Sequence, residues 1–304
     1  MMKKAIITFL VIISLFVVGC SNQAPAPKGG NAFIGGTEGL QASFEPFSIK
    51  EDGVFTIFDS EDFPIDVLLK NKGEDTLAPG KVSLRLLGPA PQDYDGIPSW
   101  TIPNKENIEK ISEFNPTGGE ETVTFTTSSR AKYKNKVTGI SDVNWNLEYA
   151  YDYHTYLIVD DACFKGDITD KNVCEVKGAK TFSVSGAPIT VTSVTQESAG
   201  KGVIVLRIAI KNAGTGKSTT PGAEFDTRFN QIGFTIDEPE KWECKSGGRE
   251  NEARLAEDGT AEVQCRLKQS LAEADLYTRS VKLNLEYTYK ELIQEKLRIR
   301  ETVQ

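Results

Sequence analysis

The residues able to do chemistry are few. His154 is the only histidine in 304 residues, and it stands in the run Tyr151-Asp152-Tyr153-His154-Thr155-Tyr156. One histidine excludes His-pair catalysis and His₂ or His₃ metal sites by count. No serine sits in a nucleophile elbow, and neither Gly35-Gly36 nor Gly118-Gly119 is followed by the lysine and helix of a phosphate-binding loop. His154 therefore reads as a surface or edge residue, in a protein that is not an enzyme and needs no cofactor. The tyrosines around it, Tyr149, Tyr151, Tyr153 and Tyr156, form a candidate binding patch, because tyrosine offers large contact area at low entropy cost. Alternation puts Tyr149, Tyr151 and Tyr153 on one face of a strand; if Leu147 marks that face as core, the inner two belong to the core.

The second reactive set is the five cysteines. Cys20 closes Val17-Val18-Gly19-Cys20, which looks like a lipobox, after Lys3-Lys4 and the apolar run 5–18. That run is shorter than the roughly 20 residues needed to span a bilayer. The expectation is a signal peptide over 1–19, lipidation at Cys20 and a flexible Pro/Gly-rich tether over 20–30. The chain is then extracytoplasmic and anchored to the membrane by lipid. Cys163, Cys174, Cys244 and Cys265 remain, an even set in an oxidising compartment. Three connectivities exist, and sequence-local pairing, Cys163 with Cys174 and Cys244 with Cys265, is favoured. A Cys₄ metal site competes but lacks a C-x₂-C knuckle. Asp160, Asp161, Asp167 and Asp170 surround the first cysteine pair and are weak calcium candidates, against a solvated acidic loop. Asp59, Glu61 and Asp62 form a second acidic cluster, read as a turn between strands.

The elements that position these residues come in two copies. Lys70-Asn71-Lys72-Gly73 recurs as Lys211-Asn212-Ala213-Gly214, Pro79-Gly80 as Pro221-Gly222, and Trp100 as Trp242. Val123 recurs as Val263, and the run Asn146 to Tyr151 as Asn284 to Tyr289, all at offsets between 138 and 142. The division is 31–185 and 186–304. Period-two alternation predicts strands at 65–70, 82–87, 122–126 and 143–151, then at 189–194, 203–210, 229–236, 261–267, 281–289 and 296–302. Ser270-Leu271-Ala272-Glu273 is read as a single helical turn. The class is all-β, two tandem β-sandwiches. The offsets set Ile102 against Cys244 and Phe125 against Cys265, predicting an inward-facing apolar pair where the second copy has a disulfide. Residues 88–120 look like an insertion whose strand order the sequence does not give.

Composition limits the partners. With 35 basic and 43 acidic residues, net charge −8, the chain has no basic face for nucleic acid, and 39% hydrophobic content excludes wholesale disorder.

The Lys-Asn-x-Gly turn after a hydrophobic strand, the Pro-Gly before the next and the later Val-x-Phe/Cys strand resemble the CARDB-type domain, an immunoglobulin-like sandwich of cell-adhesion-related surface proteins. The stretch Asn172 to Val194 leading to Lys211-Asn212-Ala213-Gly214-Thr215-Gly216 looks like tandem-domain lipoproteins of small-genome archaea. The resemblance implies two immunoglobulin-like modules at the cell surface and transfers no catalytic residue. The function expected is adhesion or membership of an envelope complex, with a protein or glycan partner. The alternative is a receptor or accessory lipoprotein holding a small ligand or glycan between its modules. A concave pocket with convergent polar groups favours the alternative, and an exposed aromatic strip favours the first.

Overall fold

The computed structural model describes residues 32–128, 130–167, 169, 173–226 and 228–303. The signal, Cys20 and the tether lie outside them. The described chain is all-β, with one 3₁₀ turn at Pro91–Asp93. The segment at Ser270 is not helical: Asp275 accepts the Ala272 N–H through its side chain, and Leu271 N–H goes to Gly202, so the chain turns without a helix.

The first half contributes β1 (Leu40–Phe44), β2 (Val54–Phe58), β3 (Asp66–Asn71), β4 (Val82–Gly88), β5 (Thr101–Pro103), β6 (Glu120–Thr124), β7 (Ile140–Lys165) and β8 (Phe182–Val184). The second contributes β9 (Ile189–Ser198), β10 (Ile204–Asn212), β11 (Lys217–Thr219), β12 (Asn230–Ile236), β13 (Trp242–Ser246), β14 (Glu252–Leu255), β15 (Thr260–Leu267) and β16 (Leu276–Arg300). Shorter bridging strands complete the sheets.

The sequence repeat is also a repeat of pairing. In the order β1-β3-β6, Leu40 lies opposite Asn71 and Val67 opposite Val123. In the order β9-β10-β15, Ile189 lies opposite Asn212 and Ile208 opposite Val263. β4 pairs with β7 and carries β5 on its outer edge, as β12 pairs with β16 and carries β14. The alternating apolar residues of these strands fill one continuous core.

Two very long strands tie the halves together. β7 and β16 run antiparallel from the pair Ile140–Arg300 to the pair Lys165–Leu276, with one irregularity between Val159 and Ala162. The beginning of β7 lies beside β4 and its end beside β8, while β16 carries β12 early and β2, in parallel, at its end. Residue 186 falls in the turn between β8 and β9, and the sheet continues across it. Each half thus borrows the extension of the other's last strand, which neither the repeat nor the strand pattern announces.

Both disulfides have the sequence-local pairing, Cys163–Cys174 and Cys244–Cys265. The expected counterpart in the first half fails, however. Cys244 and Cys265 face each other across β13 and β15, whereas Ile102 on β5 pairs with Leu84 of β4, in the other sheet from Phe125. Phe125 is buried and its N–H donates to Ile65, but Ile102 is only half-buried. The stretch 88–120 sends its strand to the β4 edge, so β5 takes the place of β14 and β13 has no counterpart.

Candidate functional site

The waist between the halves is built on the repeated Asn-x-Gly turn. The Asn71 side-chain amide donates to the Asp75 carbonyl (2.6 Å), and the Asn212 amide donates to the Gly216 carbonyl (2.9 Å). A tyrosine hydroxyl from a long strand closes each turn. Tyr153 donates to Asn71 Oδ1 (3.1 Å) and accepts from the Asp75 N–H; Tyr289 donates to Asn212 Oδ1 (2.9 Å) and accepts from the Gly216 N–H. The glycine is required by close approach. A Cβ on Gly73 would meet the Tyr153 hydroxyl and lie 2.5 and 2.7 Å from the Glu38 and Gly186 carbonyl oxygens; a Cβ on Gly214 would meet the Tyr289 hydroxyl.

Beyond the turn the copies diverge. Glu74 and Asp75 stand where the second copy has Thr215 and Gly216. The buried Glu74 carboxylate accepts three backbone N–H groups, from Ile34 (2.9 Å), Gly35 (2.8 Å) and Gly186 (2.7 Å), which ties the N-terminal segment and the turn at 186 to one point. Asp75 Oδ2 accepts from the His154 N–H (2.9 Å) and meets its ring Nδ1 at 2.7 Å. The Tyr156 hydroxyl reaches Asp75 Oδ1 at 3.5 Å, and its ring stacks with those of His154 and Phe33.

These contacts replace a strand. In the second half β11 pairs with β16 over Thr288–Lys290. Its counterpart, Thr76–Ala78, turns instead to Ile108 through Leu77. No strand pairs with the outer edge of β7 between the last β4 pair, at Tyr151, and the first β8 pair, at Leu157; backbone bonds engage only its ends, Asp152 N–H to Lys81 and Ser185 N–H to Tyr156. Within that gap Asp75 accepts the His154 N–H and Ser185 Oγ accepts the Tyr156 N–H. What remains is a surface recess of about 340 Å³, lined by Asp75, Thr76, Lys81, Asp152, His154, Tyr156 and Glu286 over Leu77, Tyr153, Tyr287 and Pro221. Lys81 lies 3.4 Å from Asp152, which also accepts from Thr288 Oγ1 (2.7 Å). Glu286 lies opposite His154 in the ladder.

The electrostatics favour a charged imidazole. The hydrogen bond to Asp75 raises the His154 pKa above its ordinary 6.5, burial opposes it, and the charges of Asp75, Glu286 and Asp152 add to the rise. The recess therefore offers ammonium, imidazole and phenol groups beside carboxylate acceptors, with an apolar floor. That set suits holding a polar ligand.

The other candidates fall elsewhere. Tyr149, Tyr151 and Tyr153 are at most 2% exposed, so the expected patch is corrected: Leu147 does mark their face, and they stack in the core with Tyr287 and Tyr289. Burial pushes the Tyr149 hydroxyl pKa up, and it donates to Glu291 at 2.5 Å. Of the four, Tyr156, on the opposite face, lines the wall of the recess, and the buried Tyr153 contributes to its floor. Asp160 and Asp161 occupy the irregularity in β7, Asp167 caps Thr169, and Asp170 lies outside the described residues. Among the described residues no group of three or more His, Cys, Asp or Glu converges to hold a metal ion. Asp59 is a structural clamp, accepting from Val137 N–H and from Thr302 N–H and Oγ1. A wider recess of about 570 Å³ lies at Lys245, Arg249 and Arg254, but each of these cations is engaged by a glutamate, Glu243, Glu250 or Glu252.

Sequence reading missed Asp75, Glu74, Lys81 and Glu286. The usable signal was the departure of Glu74-Asp75 from Thr215-Gly216 inside an otherwise repeated turn. No family model and no curated protein matches the chain.

Proposed function

We propose that the chain is a lipid-anchored, extracytoplasmic binding protein of two immunoglobulin-like modules, related to CARDB-type surface proteins, that holds a small polar ligand or glycan end group at its waist. The observation that carries this reading is the recess itself. A strand present in the second half is replaced in the first by side chains, and Asp75, His154, Tyr156, Lys81 and Glu286 converge there. Two disulfides support the oxidising compartment, and the Val17-Val18-Gly19-Cys20 motif supports the anchor. Membership of an envelope complex is the second reading.

The test is a thermal-shift screen of the full chain with a panel of mono- and disaccharides and small amines, repeated on His154→Ala and Asp75→Asn. A ligand that raises the wild-type Tm and leaves both variants unmoved supports the reading. Ligands that stabilise all three proteins equally, or a panel without effect, refute it.

A further inference from the structure

The two halves differ at one sheet edge. In the second, β15 is covered by β13, with Trp242 opposite Leu267 and Cys244 opposite Cys265. In the first, the sheet order ends at β6. Phe125 N–H donates to Ile65 and Asn71 N–H to Gly119, so the odd-numbered residues bond to β3 and the backbone groups of Glu120, Thr122 and Thr124 are directed outward. One device that protects an edge is present, the inward-pointing Glu121, whose carboxylate accepts the Lys105 and Glu106 N–H groups; the others are missing over this stretch. It has no proline or lysine, its register is unbroken from Glu120 to Thr124, and the one charge on its solvent face, Glu120, is neutralised by Lys70 at 3.1 Å.

We infer that β6 is an interface for a second copy of this chain, the two β6 strands pairing antiparallel about a two-fold axis at Thr122. The strand is self-complementary in that register. Thr122 lies opposite Thr122, a favourable cross-strand pair, and Glu120 lies opposite Thr124, so no like charges meet. The outward groups of the three residues supply about six backbone hydrogen bonds, and the contact is isologous and closed. The two sheets β1-β3-β6 join into one, as β13 extends the equivalent sheet in the second half. The site is separate from the waist recess and does not depend on it.

Crosslinking of the full chain in membranes tests this. The four described cysteines are disulfide-bonded, so Thr122→Cys supplies a thiol at the proposed axis. A short bismaleimide should convert it to a product of twice the chain mass, while Thr192→Cys, exposed on β9, should not. In sedimentation velocity the detergent-solubilised protein should have twice the monomer mass. Thr122→Pro, which deletes an N–H with no partner in its own sheet, should halve that mass and leave the circular dichroism unchanged. Monomer alone, equal crosslinking at both cysteine positions, or a crosslinked product of any other mass would overturn the proposal. The crosslinking arm decides the matter even if the proline variant does not fold.

Discussion

The glycine of the Asn-x-Gly turn gives a graded prediction. In Gly73→Ala the new methyl meets the Tyr153 hydroxyl and two backbone carbonyl oxygens, at 2.5 Å from Glu38 and 2.7 Å from Gly186. Backbone cannot yield as a flexible side chain does, so the Tyr153 ring and the turn must both shift. Two hydrogen bonds, the buried one from Tyr153 to Asn71 and the partly buried one from Asp75 N–H to Tyr153, are then lost, at about 1 kcal/mol each. Overpacking adds about 1–3 kcal/mol, for a total of about 3–5 kcal/mol, or a Tm lowered by roughly 10 °C in a chain of this size. Gly214→Ala meets only side chains, the Tyr289 ring and Pro188, and should cost about half as much. Gly80→Ala, at φ +79° with nothing within 4 Å, carries only the left-handed backbone penalty of about 1 kcal/mol. Differential scanning calorimetry of the three variants should rank them Gly73, Gly214, Gly80. A Gly73→Ala Tm within a degree or two of the Gly80→Ala value would refute the tyrosine-contact account of the motif.

Two further predictions concern the waist and the disulfide. Because the folded pKa of His154 is raised, its pairing with Asp75 contributes fully below the ordinary 6.5 and is lost as pH rises through the folded value. The stability gap between wild type and Asp75→Asn should thus be wider near about pH 6 than near about pH 8.5, by up to about 1 kcal/mol for a partly exposed pair. Urea titrations at the two pH values check it, and an equal or inverted gap would contradict the sign. Replacing Cys244 and Cys265 together by alanine opens a loop spanning 21 residues and should cost about 3 kcal/mol, read as a Tm lowered by about 6–12 °C. An unchanged Tm would show that the bond constrains nothing the β13–β15 pairing does not already fix.

The parts of this structure that could be read from sequence are those set by local period and count. Alternation placed β3, β4 and β15 and turned Tyr149, Tyr151 and Tyr153 to one face, and an even set of cysteines close together in sequence indicated the pairing. The length of β7 and β16 was not legible, because Tyr151 to Lys165 and Tyr289 to Arg300 continue a strand whose partner is in the other half. Trp100 matched Trp242 in sequence but not in topology: an inserted loop carried Ile102 to the β4 edge, a long-range choice that period two does not encode. The recess escaped notice for a similar reason. Asp75 and His154 are separated by 79 positions and meet only because the Asn71 turn is locked against β7. The glycine of that turn marked a turn in the sequence; that its requirement is steric comes from the Tyr153 hydroxyl and the two carbonyl oxygens packed against it.

The central claim, that the waist recess is the binding site, is open to a direct measurement, because His154 is the only histidine in the chain and its imidazole proton resonances are unambiguous. Saccharides and small amines that bind the full-length protein should move those resonances at saturation, and a bound ligand should change their titration midpoint. A ligand that binds with measurable affinity and leaves the His154 resonances and their midpoint unaltered would place binding elsewhere and contradict the account.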